Sequence, residues 1–198
     1  MKKTVNLIVL VFTVLVLFGV ARADQLAFTT TLTGGNEIPA NASPGIGSAL
    51  VTFDTATNLM TINVAFAGLL SPTIASHIHC CAPLGTNAMV ATTTPSFPGF
   101  PLGVTTGTFL ATFDLTQASS YNPAFITAHG GTVASAEAAF IAGLMSGQTY
   151  LNIHTMQFPG GEIRGQLAAV PEPASLLLLS TGLMGAAEMF RRRRKRGG

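Results

Sequence analysis

Most of the chain between its two ends consists of short runs in which apolar and polar residues alternate. Successive side chains of a strand point to opposite sides, so an alternating run predicts a strand with one buried face. The apolar residues that share such faces are Phe28 with Leu32, Val51 with Phe53, Ile62 with Val64 and Phe66, Ile74 with Ile78, and Phe109 with Ala111 and Phe113. Residues 149–154 and 162–167 are predicted as the last two strands.

The segments between these runs carry the signals of turns, a loop and a single helix. Residues 54–58 fit a hairpin connection, and residues 80–103 contain four prolines, which exclude a helix or a central strand. Residues 135–144 are alanine-rich, with Phe140 and Leu144 four residues apart, and predict a short helix. Together these elements predict an all-β fold, an antiparallel Greek-key-like β-sandwich with one short helix.

The first 23 residues have the three parts of a secretory signal peptide. Lys2 and Lys3 supply the positive start, residues 7–20 form an apolar run, and Ala21-Arg22-Ala23 is an A-x-A cleavage site. We therefore expect an N-terminal signal helix at residues 1–23, export through the Sec translocon, and cleavage by signal peptidase. The mature chain is expected to start at Asp24.

Residues 170–198 form a second targeting segment at the other end of the chain. The triplet Pro171-Glu172-Pro173 precedes an apolar stretch over residues 174–190, which predicts a C-terminal transmembrane helix of minimal length. Residues 191–196 are all basic and include Arg191, Arg192, Arg193 and Arg194. A basic cluster directly after an apolar helix holds that end in the cytoplasm, so we interpret it as a topology signal.

Charge separates the two ends from the middle of the chain. Nine of the ten basic residues lie at the ends, and Arg164 is the only base between residues 24 and 169. Six acidic residues in the same span give it a formal charge of −5. A nucleic-acid surface needs clustered lysine and arginine, so residues 24–169 are predicted to be one domain without a nucleic-acid partner.

Three of the four histidines fall on two predicted strands. His77 and His79 are two residues apart, which places both imidazoles on the same strand face. His154 lies on another strand, so the three rings could converge on one metal ion, and three imidazoles suit copper or zinc. The alternative is that the three histidines are buried and make structural hydrogen bonds.

Arg164 lies on the strand that follows the His154 strand. Glu162, Arg164 and Gln166 are predicted to share one strand face. There Arg164 either pairs with Glu162 or another carboxylate, organises the His154 strand, or guides an anion towards a metal.

The only two cysteines, Cys80 and Cys81, follow the His77–His79 pair directly. Export places them in an oxidising compartment, where three states are open: a vicinal disulfide, which we rank first, thiol ligands to a metal, or intermolecular pairing.

The C-terminal segment resembles the PEP-CTERM sorting signal of Gram-negative bacteria. The resemblance rests on the Pro171-Glu172-Pro173 triplet, the apolar stretch and the arginine cluster, which occur in that order. It implies recognition and cleavage by exosortase, a transient inner-membrane anchor, and a final place at the cell surface or in the biofilm matrix among exopolysaccharide and surface proteins.

The body of the chain resembles a CHRD domain over about residues 26–167. The resemblance rests on residues 67–69, on His77-Ile78-His79, on residues 150–155 and on residues 159–167. The family implies no settled biochemical activity.

Part of the body is also similar to copper/zinc superoxide dismutases. The similarity rests on Gly68-Leu69 before His77 and His79, on the strand of His154, and on the glycine-flanked Arg164. It implies a copper site of three histidines with Arg164 as the anion guide. No histidine lies between Cys80 and Ala128, so the zinc ligands of that family have no counterpart.

Two functional hypotheses follow. No G-x-S-x-G, H-E-x-x-H, P-loop or G-x-G-x-x-G framework occurs, which favours a non-enzymatic binding or structural module at the cell surface or in the biofilm matrix. The alternative is a metal-binding redox protein of superoxide-dismutase-like type that uses the three-histidine site.

Overall fold

The computed structural model of the protein describes residues 25–171 and 182–184. Over these residues the chain forms nine strands: β1 (Gln25–Thr33), β2 (Ile46–Asp54), β3 (Leu59–Ala67), β4 (Thr73–Cys80), β5 (Met89–Val90), β6 (Gly107–Asp114), β7 (Thr149–Thr155), β8 (Ile163–Gln166) and β9 (Ala168–Ala169). Two α-helices, α1 (Pro123–Ala128) and α2 (Val133–Met145), connect β6 to β7.

All nine strands belong to one antiparallel sheet that curls strongly into a half-barrel. Its strand order is β5-β4-β7-β8-β1-β2-β3-β6, and β9 pairs with β1. The prediction of an all-β antiparallel fold is therefore confirmed. The inner face of this curled sheet carries the apolar core. The helices and loop phenylalanines such as Phe97 and Phe100 pack against this face.

The strands β1, β2 and β3 form a regular meander. β2 pairs with β3 over nine residues without a register shift, and buried and exposed residues alternate along both. The hairpin between them turns at residues 54–58, as predicted. Asp54 Oδ1 accepts hydrogen bonds from two turn amides, and Asn58 takes a positive φ of 58°, which asparagine tolerates better than most residues.

Helix α2 covers the predicted helical stretch and is capped at its start. Thr132 and Ser135 form a reciprocal capping box, and Gly147 follows the helix with a φ of 67°. The prediction of one short helix is incomplete, because α1 precedes α2. The sequence contains a start signal for α1, because Asn122 caps the helix and Pro123 occupies its first turn.

The strand β4 departs from simple alternation. A register shift between Thr73 and Ala75 leaves Ile74 at a bulge and 41% exposed, so it does not share the buried face of Ile78 as expected. From Ala75 to Cys80 every residue is buried, because loops cover the outer face while the core covers the inner face.

The predicted targeting segments lie almost wholly outside the described residues. This holds for the signal peptide 1–23, for Glu172 and Pro173, and for Arg191, Arg192, Arg193 and Arg194. Pro171 is described and exposed, and of the apolar stretch 174–190 only residues 182–184 are described. Over residues 25–171 and 182–184, no helix has the length and apolar character needed to cross a membrane.

Candidate metal centre

The strands β4, β7 and β8 lie side by side and place three histidines on one outer face. β4 pairs with β7 so that His79 is opposite Tyr150 and His77 is opposite Asn152. His154 is two residues beyond Asn152 on the same strand face. After a short connection, β8 pairs with β7 in antiparallel orientation and places Arg164 opposite Asn152.

The three imidazoles converge. One ring nitrogen from each of His77, His79 and His154 lies within 4.8 Å of the others, and all three residues are buried. His77 Nδ1 is 3.2 Å from His154 Nε2. Metal–imidazole bonds are about 2.0–2.1 Å long. Small movements of these side chains would bring all three nitrogens to that distance from one metal ion.

Each ring turns its other nitrogen to a backbone carbonyl. His77 Nε2 lies 2.7 Å from the Pro95 oxygen, His79 Nδ1 lies 2.9 Å from the oxygen of Ala88, and His154 Nδ1 lies 2.9 Å from that of Pro159. A carbonyl only accepts hydrogen bonds, so the ring nitrogen that faces it carries the hydrogen. In the neutral imidazole the inward nitrogen then carries a lone pair, which is the arrangement of a metal-binding histidine.

Burial keeps the three rings neutral. Desolvation lowers the pKa of His79 and of His154 to about 4, and it lowers the pKa of His77 below its usual value. A neutral His77 has a single ring hydrogen, so it cannot donate both to the Pro95 oxygen and to His154 Nε2, which lies 3.2 Å from its Nδ1. The third inward nitrogen, His79 Nε2, is buried without a hydrogen-bond partner. A cation at the centre would satisfy all three, so the residues fit a metal ion.

Arg164 does not extend into solvent beside the histidines. Its side chain is 3% exposed, and its Cζ lies 4.0 Å from the centre of the Tyr150 ring. Its Nη1 donates to Asn87 Oδ1 at 2.8 Å, and its Nη2 donates to the carbonyl of Thr86 at 3.3 Å. The guanidinium thus binds an aromatic ring and a surface loop, and its hydrogen bonds go to that loop rather than to Glu162.

Glu162 turns away from the face of Arg164. Gly161 precedes it with a φ of 132°, and β8 begins only at Ile163. The Glu162 carboxyl group accepts hydrogen bonds from the hydroxyls of Ser43 and Thr155 and from the amide of Leu70, each at 2.6 Å. Glu162 therefore joins two loops to β7 rather than sharing a face with Arg164 and Gln166 as expected.

The sequence patterns did not identify three further residues of this face, Glu37, Tyr150 and Asn152. Glu37 is 6% exposed and accepts a hydrogen bond from Asn152 Nδ2 at 2.8 Å. Desolvation raises the Glu37 pKa to about 7, although Arg164 and the Asn152 hydrogen bond lower it. Alternation along β7 could have identified Tyr150 and Asn152, which share the face of His154, but nothing local places Glu37 beside them.

The cysteines lie apart from the histidine cluster. Cys80 and Cys81 are joined by a disulfide, and Cys80 is buried in the inner core. The disulfide packs against Gly143 of α2, where an added Cβ would contact both sulfur atoms. The cysteines are therefore not ligands of the cluster in this structure.

Comparison with known proteins identifies two regions of the chain. The family model of the CHRD domain matches residues 28–167, and that of the PEP-CTERM protein-sorting motif matches residues 169–195. No curated protein and no solved structure gives a significant match.

Proposed function

The chain belongs to the CHRD domain family, and we propose that its domain, residues 24–169, is a non-enzymatic surface module that binds one copper or zinc ion. The ligands are His77, His79 and His154, and the fourth coordination position stays open to water or a partner group. Copper binds more tightly than zinc, following the general order of divalent metal affinities.

The PEP-CTERM motif makes this an exported, membrane-transiting protein that exosortase processes. We propose that signal peptidase cuts after Ala23 following Sec export, and that exosortase cuts near Pro171-Glu172-Pro173. The released domain then resides at the cell surface or in the biofilm matrix, with exopolysaccharide and surface proteins as its neighbours. Mass spectrometry of surface-released protein tests this, and an extracellular chain that still ends at Gly198 would refute it.

One observation carries the metal proposal: three buried ring nitrogens face one another, and a backbone carbonyl fixes the opposite nitrogen of each ring. Histidines kept only for structural hydrogen bonds would have their polar atoms paired within the protein. Here His79 Nε2 has no such partner, and a neutral His77 has one ring hydrogen for two acceptors, the Pro95 oxygen and His154 Nε2.

The redox alternative is less well supported by the same site. A superoxide dismutase needs a cationic guide that the anion can reach, whereas Arg164 is 3% exposed and binds Tyr150, Asn87 and Thr86. The copper-loaded protein is therefore expected to show no superoxide turnover. Measured turnover would overturn the non-enzymatic part of the proposal and leave the metal site standing.

Metal titration of the purified, chelator-treated protein tests the binding itself. We expect one Cu²⁺ or one Zn²⁺ per chain by calorimetry, with a loss of affinity of about 100-fold or more in His154→Ala, which removes one of three ligands. His129→Ala is the matched control, because His129 lies outside the cluster and packs against Phe125, with the ring centres 4.2 Å apart. Equal binding by wild type and His154→Ala would contradict the assignment of the site.

A further inference from the structure

We infer that Arg164 and Tyr150 are positioning residues for the proposed metal site, and that they act on His79 through the backbone carbonyl of Ala88. The inference rests on the proposed function. It gives the buried arginine a role that differs from guiding an anion.

The first observation is a continuous stack of three side chains across neighbouring strands. The rings of His79 and Tyr150 lie 4.7 Å apart and are nearly parallel, with an angle of 9° between their planes. The guanidinium of Arg164 covers the same tyrosine at 4.0 Å. Each member restricts the next, because a stacked planar group cannot rotate without losing the contact.

The second observation is that the same two side chains hold three consecutive loop residues. Arg164 binds Thr86 and Asn87 through its two terminal nitrogens. The Tyr150 hydroxyl accepts from the amide of Ala88 at 3.1 Å and lies 3.4 Å from its carbonyl oxygen. Asn87 in turn donates to the carbonyl of Ile38 at 2.9 Å. The loop is therefore anchored to the sheet and to a second loop.

The third observation links this loop to the histidine. The Ala88 carbonyl is the oxygen that faces His79 Nδ1, so it decides which nitrogen of His79 carries the hydrogen. Thr86 and Asn87 are exposed and have little packing of their own. Without Arg164 and Tyr150 the carbonyl would lose its fixed position, and His79 could place its hydrogen on the inward nitrogen, where it blocks metal binding.

The other two ligands provide an internal comparison. His77 and His154 depend on the carbonyls of Pro95 and Pro159, and neither of these is bonded to Arg164 or Tyr150. A change at Arg164 should therefore affect His79 and leave the other two tautomers as they are. General destabilisation would instead affect all three histidines together.

The direction of the change in metal affinity distinguishes a positioning role of Arg164 from a purely electrostatic role. A positive guanidinium near a bound cation repels it, so loss of the charge alone would strengthen metal binding. Positioning predicts the reverse: Arg164→Met weakens binding by about 10–100-fold, the range found for residues that orient metal ligands. Arg164→Lys keeps the charge but loses the planar fork, and it should also weaken binding.

The test combines metal titration with nitrogen NMR of the histidine rings in the full exported protein. Metal-free wild type should show His79 with its hydrogen on Nδ1, and Arg164→Lys and Tyr150→Phe should show a mixture of tautomers at His79 only. Tyr150→Phe keeps the ring stack and removes the hydroxyl bonds to Ala88, so it serves where the arginine variants fail to fold. Gln166→Ala is the matched control, because Gln166 bonds to Gly147 rather than to this loop.

Two outcomes of this test separate the inference from the function on which it rests. An unchanged His79 tautomer in the folded variants, or tighter Cu²⁺ binding by Arg164→Met, would overturn the positioning role. A wild-type protein that binds neither Cu²⁺ nor Zn²⁺ would overturn the proposed function, while a selective tautomer shift at His79 would still support the positioning role.

Discussion

The two halves of the curled sheet are built from similar strands but are covered differently. In the half formed by β1, β2, β3 and β6, which we call the open half, residues alternate between the buried inner face and an outer face that contacts solvent. In the half formed by β4, β7 and β8, which we call the covered half, loops also cover the outer face. All seven residues of β7 are buried as a result.

This difference decides where polar side chains form a candidate site. Polar groups on the open half can bond to water, whereas those on the covered half need a partner from the protein or a bound ion. Among the described residues, three of the four buried polar side-chain atoms without a hydrogen-bond partner lie in the covered half: His79 Nε2, Thr149 Oγ1 and Asn152 Oδ1. The comparison shows that the loop cover, rather than the strand pattern, turns an ordinary polar face into a candidate site.

The largest effect is expected at Glu162, which ties the loops to the covered half. Glu162→Ala leaves the donors of Ser43, Leu70 and Thr155 without their acceptor, the Thr155 hydroxyl in a fully buried place and the other two in partly buried places. Each unsatisfied buried donor costs about 1–3 kcal/mol, so we expect a loss of about 3–5 kcal/mol in the free energy of unfolding. Urea denaturation measures it.

Ser43→Ala supplies the graded control for this variant. It removes a single donor to Glu162 and should lower the free energy of unfolding by about 1 kcal/mol. If Glu162→Ala were no more destabilising than Ser43→Ala, the carboxyl group would not be the common anchor of the two loops.

A smaller, pH-dependent effect is expected at Glu37. Burial raises its pKa to about 7 in the folded protein, against an ordinary value of 4.5. The folded state then holds the proton more tightly, so this group favours folding below pH 4.5, and that stability is lost as the pH rises towards 7. Glu37→Gln removes the buried charge, and we expect it to be more stable than wild type by about 1–2 kcal/mol at pH 8, allowing for solvent screening.

Unfolding curves at pH 5 and pH 8 test this expectation, since the gain should be much smaller at pH 5. Asp54→Asn in the open half is the control, because turn amides hold the Asp54 pKa below its usual 3.8 and the carboxylate stays ionised across this window. A difference between Glu37→Gln and wild type that is the same at both pH values would contradict the raised pKa.

The smallest effect is expected on the outer face of the open half. Leu110 is 70% exposed on β6, and Leu110→Thr should change the free energy of unfolding by no more than about 0.5 kcal/mol. Ile62→Ala on the inner face of neighbouring β3 should cost about 3 kcal/mol, because Ile62 is fully buried. A large loss in Leu110→Thr would show that the open half is also covered, by a partner or by a second copy.

Local pattern was sufficient for the open half and insufficient for the covered half. Alternation correctly placed Val51, Ile62 and Val64 on the buried face, because each strand there has one face in the core and one face in solvent. The same rule predicted that Ile74 is buried and that Glu162 lies on the same strand face as Arg164. A bulge at Ile74 and the positive φ of Gly161 reoriented both side chains, and neither feature has a periodic signal.

The sequence by itself determined the family, the sorting motif, the antiparallel β class and the three histidines and Arg164 as candidate site residues, since these depend on residue types and short-range spacing. Only the tertiary structure decided that loop carbonyls turn the three histidines inward, that Arg164 binds a loop, and that Glu37 lies beside Asn152. These contacts join residues 5 to 115 positions apart, and most of them involve irregular loops. A loop has no repeating pattern of buried positions, so its place follows from packing against the finished sheet.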